Sequence, residues 1–477
     1  MVEKFLQEQL KSKLGHIPTK GQSNAINCFL KFLEDREEFC VFILTGYAGT
    51  GKTSLISALI QVFDEIKINN ILLAPTGRAA KVLSNYSHHQ ASTIHKCIYR
   101  KKSTKRVSGD FSINFNHHKD TIFIVDEASM IGNNETGNNI FGSGRLLDDL
   151  LSFVFNGNNC RLILLGDPVQ LPPIGTILSP ALDKDYIVSL NMKVFSSELY
   201  DVVRQTADSG ILYNATLIRE NIISGRLDFP KIKLNGFNDI ISINGSELLE
   251  EIENCYSKLG IHETKIVCKT NKQANKYNLG IRNRILWFEE EITNGDLLMI
   301  VKNNYSWLPE KAEIDFIANG DIVEVIKVGK KIDIYGYRYV DLLIKFIDFP
   351  DLEIEVKAIL DSLTIDSAGM DTSYYKDLYE QLSVDYEHIT DSKKRHEAIL
   401  SDPYFNALQV KFAYALTCHK SQGGQWDAVF VDHGWLNPDS MSAEQKIDFF
   451  RWLYTAFTRA TEKLYLINFS EKLTDPI

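Results

Sequence analysis

The sequence of 477 residues contains no run of 18 or more apolar residues, and its first 15 residues lack the apolar stretch of a secretory signal. These first residues are charged and amphipathic instead. The composition, with 44% hydrophobic and 24% charged residues, is ordinary for a globular protein. We therefore expect no membrane-spanning helix and a cytoplasmic protein without membrane partners.

Paired cysteines are missing as well. The seven cysteines are scattered along the chain and never occur in C-x-x-C spacing. An odd number without the spacing of metal ligands argues against a disulfide framework and against a zinc site. We predict buried thiols in a reducing compartment.

An excess of positive charge is the third absence. The 52 Lys and Arg residues are outnumbered by 62 Asp and Glu residues, which gives a net charge of −10. Such a chain does not coat nucleic acid by bulk charge, although a local basic track remains possible. The basic run at residues 100–106 is either such a track or a solvated loop.

Short apolar runs alternate with helical stretches over most of the chain, which is typical of αβ units with a parallel sheet. The predicted strands of a first set are residues 41–45, 71–74, 121–125, 161–165 and 186–190, and those of a second set are 266–269, 412–417, 428–431 and 464–468. Residues 1–35 and 371–400 have helical patterns, and residues 300–370 have the turns and alternation of an antiparallel β-module. The length predicts two to four domains.

A glycine-rich loop at residues 46–53 fits the pattern G-x-x-x-x-G-K-[ST] and follows the predicted strand 41–45. Its glycines are Gly46, Gly49 and Gly51. They allow backbone N–H groups to curve around phosphate oxygens at a helix N-terminus. Lys52 is expected to reach the β- and γ-phosphates, and Thr53 to bind Mg²⁺.

Two further motifs suit nucleotide hydrolysis. Asp126 and Glu127 end a buried strand, where Asp126 would hold Mg²⁺ and Glu127 would orient or deprotonate the attacking water. Gln170, in the proline-rich loop 166–173, can sense a γ-phosphate because an amide both donates and accepts hydrogen bonds. The distant segment 454–460 adds an arginine, and a P-loop with a remote arginine is the layout of a motor.

The ordered motifs resemble those of superfamily 1 helicases of the RecD/Dda-like branch. The matching segments are residues 46–53, 126–129, 166–173, 204–205, 417–423 and 454–460, which resemble motifs I to VI. This resemblance implies two RecA-like P-loop motor domains and the cofactors ATP and Mg²⁺. It also implies a bacterial or phage-infected cell as the setting.

The resemblance implies further nucleotide contacts. Gln22 resembles the glutamine that reads adenine, and Arg204 and Arg459 resemble two arginines that contact the γ-phosphate. Ser54 follows Thr53 in the nucleotide-binding motif. Gln425 stands where relatives often carry an acidic ribose ligand, so selectivity for ribose is in question.

The resemblance also implies contacts with single-stranded DNA. These residues are Pro75, Thr76 and Arg78 in motif Ia, Thr93, His95 and Lys96 in motif Ib, and Thr417, His419, Lys420 and Ser421 in motif V. Hydroxyls, amides and a few cations suit a backbone track that does not read bases. His95 and His419 could equally be structural.

Two insertions complete the expected architecture. Residues 1–98 and 120–190 form motor domain 1A, with a pin-like β-hairpin at 99–119 (1B). Residues 191–300 and 405–477 form motor domain 2A, with an SH3-like β-module and helical appendage at 301–404 (2B). Phe111 or Phe115 would stack on the duplex junction, or would anchor the hairpin. The appendage would enclose the strand, or would dock a protein.

The predicted function is that of a monomeric ATP-dependent helicase that moves 5′ to 3′ on single-stranded DNA and separates tailed duplexes. Replication or recombination proteins are candidate partners. One alternative is an RNA-directed or protein-remodelling NTPase on the same core. Another is a binding module with a degenerate motor, against which the intact motifs argue. A small-molecule kinase is weaker, because it does not need two separated motor halves.

Overall fold

The computed structural model describes residues 2–101, 111–133, 142–173, 175–202, 209–309, 312, 314, 316–435 and 440–475. The chain divides into two compact units. The first consists of Met1–Arg100, Phe111–Ile243 and Ser421–Ile477, and the second of Lys101–Asp110 and Asn244–Lys420. This division differs from the expected motor domains, whose boundaries stay a prediction.

The secondary structure follows the chain in two stretches. The first contains α1 (Val2–Lys13), α2 (Lys20–Glu34), β1 (Cys40–Gly46), α3 (Lys52–Glu65), β2 (Asn69–Ala74), α4 (Gly77–Ser87), β3 (Ala91–Thr93), α5 (Ile94–Ile98), β4 (Tyr99–Lys101), β5 (Phe111–Ile113), β6 (Thr121–Val125), α6 (Leu146–Phe155), β7 (Arg161–Gly166), α7 (Lys184–Ser189), β8 (Lys193–Leu199), α8 (Gly210–Ser224) and β9 (Ile240–Ile243). The second contains α9 (Leu248–Lys258), β10 (Thr264–Cys268), α10 (Asn271–Arg284), β11 (Leu297–Ile300), β12 (Ile322–Ile334), β13 (Tyr337–Phe346), β14 (Glu353–Ile359), α11 (Thr372–Asp385), α12 (Ser392–Leu400), β15 (Leu408–Phe412), β16 (Ala415–Thr417), α13 (Cys418–Ser421), β17 (Trp426–Asp432), α14 (Ala443–Phe457) and β18 (Ala460–Ile467).

The first unit is built on a parallel sheet of six strands in the order β3-β2-β6-β7-β1-β8. Every residue of β6 is buried, since helices cover both faces of such a sheet. A cluster of phenylalanines, Phe29, Phe32, Phe42 and Phe63, packs between α2, β1 and α3. The predicted α/β class with a parallel sheet is confirmed.

The start of α2 explains how the chain turns into this sheet. The hydroxyl of Thr19 accepts a hydrogen bond from the Gln22 N–H at 3.2 Å, and the Gln22 side chain accepts from the Thr19 N–H at 3.1 Å. This reciprocal capping box satisfies two N–H groups that the helix itself cannot pair. The helical pattern of residues 1–35 is therefore divided between two helices, α1 and α2.

One predicted strand is wrong. Residues 186–190 belong to the helix α7 and to its C-cap, and the strand beside β1 is β8. The Asp183 side chain caps α7 by accepting from the N–H groups of Asp185 and Tyr186. A short apolar run fits a strand and a buried helix equally well, and here the cap decides for the helix.

Three further strands of the first unit are also parallel, since β18 pairs with both β17 and β9. In the second unit β10 pairs with β16, and β11 to β15 form a closed barrel. The predicted strand 412–417 is split between β15 and β16. The Asn278 side chain causes this break, because its oxygen accepts from the Tyr414 and Ala415 N–H groups.

The barrel has a long hairpin, β12–β13, which turns at Tyr335 and Gly336. Both turn residues have positive φ, at 56° and 73°, as a two-residue hairpin turn requires. The helices α11 and α12 cover one side of the barrel with a tyrosine-rich cluster around Tyr339 and Tyr374. This part of the chain therefore contains a closed β-barrel with two adjoining helices.

The described residues bear on two expectations from the sequence, one about the cysteines and one about membrane-spanning helices. All seven cysteines are thiols, and five of them are buried. Across the described ranges, no helix combines the length and the apolarity needed to cross a bilayer.

A buried ion pair ties α10 to the barrel. Arg282 Nε lies 2.7 Å from Asp296 Oδ1, and the two side chains are 3% and 0% exposed. Asp296 also accepts hydrogen bonds from the Tyr414 hydroxyl and the Thr293 N–H. A buried charge pair with such additional hydrogen bonds is destabilising to break, because one charge is left uncompensated.

We predict that Asp296→Ala lowers the free energy of unfolding by about 3–5 kcal/mol, because the Arg282 charge stays buried without its partner. Urea unfolding followed by circular dichroism measures the loss. The matched control is Glu290→Ala, which removes an exposed partner of Lys331 and should cost less than about 1 kcal/mol. Equal losses in the two variants would contradict the assigned role of the pair.

Candidate nucleotide site and nucleic-acid motifs

The glycine-rich loop joins β1 to α3 as predicted. Gly49 and Gly51 have φ of 76° and 81°, so the loop uses a backbone conformation that favours glycine. No side chain caps α3 at Gly51, so the first N–H groups of this helix are available to an anion. Lys52 Nζ donates to Gly46 O at 2.5 Å and to Tyr47 O at 3.1 Å. The lysine therefore lies folded against its own loop. Ser54, the last predicted loop ligand, is exposed at the start of α3.

Asp126 and Glu127 follow β6. Burial and then the charge of Glu127 raise the pKa of Asp126 to about 6, while Lys52 opposes the shift. Glu127 has φ of 53°, a left-handed conformation that is costly for a residue with a Cβ and that concentrates at functional sites. Two adjacent carboxylates repel each other when both are ionised, and a nearby cation would relieve this repulsion.

This donor set fits Mg²⁺. Carboxylate and hydroxyl oxygens, here from Asp126 and from Thr53 on the first turn of α3, are the ligands that Mg²⁺ prefers. Among the described residues no group of three or more His, Cys, Asp or Glu side chains could hold a metal.

The loop after β7 holds a carboxylate close to Lys52. Asp167 is 1% exposed, and its Oδ2 lies 4.0 Å from Lys52 Nζ. Its Oδ1 accepts from the Val169 N–H at 3.0 Å, which shapes the loop. Gln170, the predicted γ-phosphate sensor, is 6% exposed. Its side-chain oxygen has no hydrogen-bond partner among the described residues, so it is available to a ligand.

The helix α14 lies against this loop. Arg451 donates to the backbone oxygens of Pro168 and Gln170, at 2.9 and 3.3 Å. The Leu171 N–H donates to Thr455 Oγ1 at 2.9 Å. Residues more than 280 positions apart in the sequence are therefore hydrogen-bonded to each other within one unit.

Tyr454, on the same helix, reaches the glycine-rich loop. Its hydroxyl accepts from the Ala48 N–H at 2.8 Å and donates to Asp167 Oδ2 at 2.5 Å. Burial, and then the charge of Asp167, raise the pKa of Tyr454 well above its usual value. The hydroxyl therefore stays neutral and can play both roles.

Of the two predicted γ-phosphate arginines, Arg204 lies outside the described residues. Arg459 is 2% exposed and donates to the oxygens of Thr455, Gly424 and Thr458. Within the described part of the chain its hydrogen-bond partners are these neutral oxygens. Hydrogen bonds to neutral oxygens fix the orientation of this buried guanidinium.

Gln22 is fully buried, and its Nε2 has no hydrogen-bond partner in the ranges that the structure describes. An unmade hydrogen bond on a buried amide is costly, so a ligand acceptor would satisfy it. Gln425 is exposed, and its backbone oxygen accepts from Arg78 at 2.9 Å. The Arg78 guanidinium also lies over the Trp426 ring, 4.3 Å from its centre.

The predicted DNA-contacting residues of the first sheet lie at its carboxyl edge. Pro75 precedes α4, and the hydroxyls of Thr76 and Thr93 cap α4 and α5. Both threonines therefore have a structural role as well. Lys96, in the first turn of α5, is half-buried. Burial lowers the pKa of the His95 side chain to about 4, so this ring is neutral near pH 7 and is not a cationic contact.

The motif V residues differ among themselves. Thr417 is half-buried and His419 is exposed, while burial lowers the pKa of Lys420 to about 8. The Lys420 ammonium donates to the Asn319 side chain. The prediction for Ser421 needs correction, because this residue is fully buried and offers no surface to a strand.

The two candidate pin residues are also distinguished. Phe111, in β5, is 7% exposed and belongs to the core, so its prediction as a DNA contact needs correction. Phe115 is 59% exposed and remains a candidate. The tip of the predicted hairpin, with most of the basic run, lies outside the described residues.

The sequence did not single out Asp167, Arg451 or Tyr454. Asp167 could have been recognised as a candidate site residue, because it follows the carboxyl end of a parallel strand, as Asp126 does. No local pattern reveals that Tyr454 and Arg451 contact a loop almost 300 positions earlier.

Comparison with known proteins gives two domain matches. An AAA domain model matches residues 19–229, and a UvrD-like helicase C-terminal domain model matches residues 412–467. The chain is 28% identical to an uncharacterized protein of Acanthamoeba polyphaga mimivirus, over 94% of this chain and 98% of that protein. It is 23% identical to the ATP-dependent DNA helicase dda of Enterobacteria phage T4, over 94% of this chain and 99% of that protein.

The resemblance to superfamily 1 helicases of the RecD/Dda-like branch is confirmed. A solved structure of Pif1 helicase from Bacteroides with ADP-AlF3 and ssDNA is similar with a TM-score of 0.46 and 14% identity, over 97% of this chain and 95% of that one.

The pKa of Asp126 generates a stability prediction. A carboxyl that is harder to ionise in the fold destabilises the protein as pH rises from its unfolded pKa, near 3.8, through about 6. We therefore expect Asp126→Asn to raise the melting temperature at pH 8 without Mg²⁺. This advantage should disappear near pH 4.

The matched control is Asp351→Asn, at an exposed turn, which should leave the melting temperature unchanged at both pH values. Calorimetry in a chelating buffer measures all three proteins. If Asp126→Asn melts at the same temperature as the wild-type protein at pH 8, or at a lower one, the ionised Asp126 carboxylate does not destabilise the fold.

Proposed function

We propose that this chain is an ATP-dependent DNA helicase that moves 5′ to 3′ on single-stranded DNA and separates duplexes with a 5′ tail. DNA helicase activity agrees with its relatives, among them one named an ATP-dependent DNA helicase over nearly its whole length. The direction of movement is our proposal from the resemblance of the motifs.

One observation carries the proposal. The loop that holds Asp167 and Gln170 is hydrogen-bonded to α14, while Asp167 lies beside Lys52. A change at the nucleotide phosphates is thereby passed to a helix from the far end of the chain. A nucleotide-binding protein without a motor function does not need such a connection.

We assign the hydrolysis roles as follows. Lys52 and the loop amides bind the phosphates, while Thr53 and Asp126 hold Mg²⁺, which would neutralise charge on the transferred phosphoryl group. Glu127 orients the attacking water, and Gln170 reports its position through the unpaired side-chain oxygen. Arg459 supplies the positive charge that stabilises the transition state. Gln22 offers its unpaired N–H group to the base.

The finer architecture belongs to the same proposal. We infer that the closed barrel is an SH3-like module inserted in the second RecA-like motor domain, and that β4 and β5 form the base of a pin. The barrel, the tyrosine-rich cluster and the two-stranded sheet support this assignment.

The proposal predicts ATP-dependent opening of a duplex with a 5′ single-stranded tail, and little opening of a matched duplex with a 3′ tail. Release of a labelled strand measures both reactions. Lys52→Ala should abolish opening and ATP hydrolysis, because it removes the charge that binds the phosphates.

Either other result changes the assignment. Opening of the 3′-tailed duplex alone would refute the direction and keep the motor. ATP hydrolysis without any opening, stimulated by RNA and not by DNA, would favour the RNA-directed alternative, since the 2′-hydroxyl distinguishes the two polymers.

Phe115 generates a separate prediction. Stacking of an aromatic ring on a base is worth about 1–3 kcal/mol. Phe115→Ala should therefore slow strand separation about tenfold while ATP hydrolysis with single-stranded DNA stays near normal. Phe39→Ala, which removes another exposed ring of the same unit, is the matched control. Normal strand separation by Phe115→Ala would contradict a pin role.

A further inference from the structure

The hydroxyl of Tyr454 is hydrogen-bonded to a backbone N–H group of the glycine-rich loop. Its oxygen accepts from the Ala48 N–H at 2.8 Å. Ala48 belongs to the glycine-rich loop, whose N–H groups otherwise point toward an anion. The phosphate and the hydroxyl cannot both be the main acceptor of this one N–H group.

Three features hold the hydroxyl in this place. Tyr454 is 1% exposed, so its ring is fixed by packing. Its O–H group donates to Asp167 Oδ2 at 2.5 Å, which orients the oxygen lone pairs toward Ala48. Two further residues of α14, Arg451 and Thr455, are hydrogen-bonded to the loop that contains Asp167.

The lysine of the loop is occupied in a similar way. Lys52 Nζ donates to two backbone oxygens of the loop, from Gly46 and Tyr47. Ala48 and Lys52 thus both donate to protein atoms in this arrangement. Binding of phosphate has to exchange these hydrogen bonds for new ones.

We propose that Tyr454 is a positioning residue that sets the affinity for nucleotide by competing with a phosphate for the Ala48 amide. This inference rests on the proposed function and adds a residue to which no role was assigned there. When a phosphate takes the amide, the hydroxyl keeps only its bond to Asp167. The hydrogen bond between α14 and the glycine-rich loop is therefore present when the site is empty and absent when a phosphate is bound.

The direction of the effect separates this role from a structural one. If the hydroxyl only stabilised the site, its removal would weaken nucleotide binding. If it competes with phosphate, its removal strengthens binding, because the free Ala48 N–H no longer has to be exchanged. The expected gain is that of one net hydrogen bond, or about fivefold in affinity.

The test compares Tyr454→Phe with the wild-type protein in the absence of DNA, using a fluorescent ADP analogue as the probe. We expect the dissociation constant to fall about fivefold. The KM for ATP should fall similarly, while kcat changes by less than about twofold. Thermal melting without nucleotide shows whether the variant is folded.

The matched control is Tyr339→Phe, in the barrel of the second unit. Tyr339 is fully buried, and its hydroxyl is hydrogen-bonded to that of Tyr374 at 3.1 Å. This variant loses a comparable buried hydroxyl far from the loop in sequence, and its affinity for the ADP analogue should be unchanged.

The outcomes are distinct. Unchanged or weaker binding by a folded Tyr454→Phe would overturn the competition, and so would equal tightening by Tyr339→Phe. Failure of the wild-type protein to bind the ADP analogue, or binding that survives Lys52→Ala, would instead refute the proposed nucleotide site. The two proposals therefore fail by different observations.

Discussion

The structure of the candidate site depends on one buried carboxylate, that of Asp167. It lies 4.0 Å from Lys52 Nζ, accepts the Tyr454 hydroxyl, and fixes its own loop through the Val169 N–H. A buried charge is stable only when it is hydrogen-bonded or paired. Satisfying Asp167 therefore brings the glycine-rich loop, the loop after β7 and the helix α14 together.

Within the described ranges, two arginines of the same unit bind neutral oxygens and not carboxylates. Arg451 and Arg459 both donate to backbone oxygens, and Arg459 also donates to a threonine hydroxyl. Burial lowers the pKa of Arg451, although Asp448 and Asp167 oppose the shift. A guanidinium neutralised by a tight carboxylate would gain less from a developing phosphate charge. Neutral partners position the arginines without neutralising their charge, which suits the proposed contact of Arg459 with phosphate.

The sequence was a good guide where a local pattern determines the structure. The strands β1, β2, β6 and β7 were predicted because both of their faces are apolar, and the glycine-rich loop because its spacing is specific. Residues 186–190 were misassigned, since a short apolar run does not distinguish strand from helix and Asp183 supplies the deciding cap. Phe111 and Ser421 were misplaced because a motif does not reveal burial. Contacts such as that of Tyr454 with Ala48 depend on packing between distant segments.

Asp126 and Asp167 occupy similar positions in the sequence but differ in their hydrogen bonds. Both follow buried parallel strands of one sheet, although the sequence analysis predicted only Asp126 as a metal ligand. Asp167 has both oxygens engaged by protein donors. Asp126 accepts one N–H, from Glu127, and its pKa is raised to about 6 by burial and by that neighbour's charge. A cation gains most where negative charge is least compensated, so the hydrogen bonds favour Asp126 over Asp167 for the proposed role of Mg²⁺ ligand.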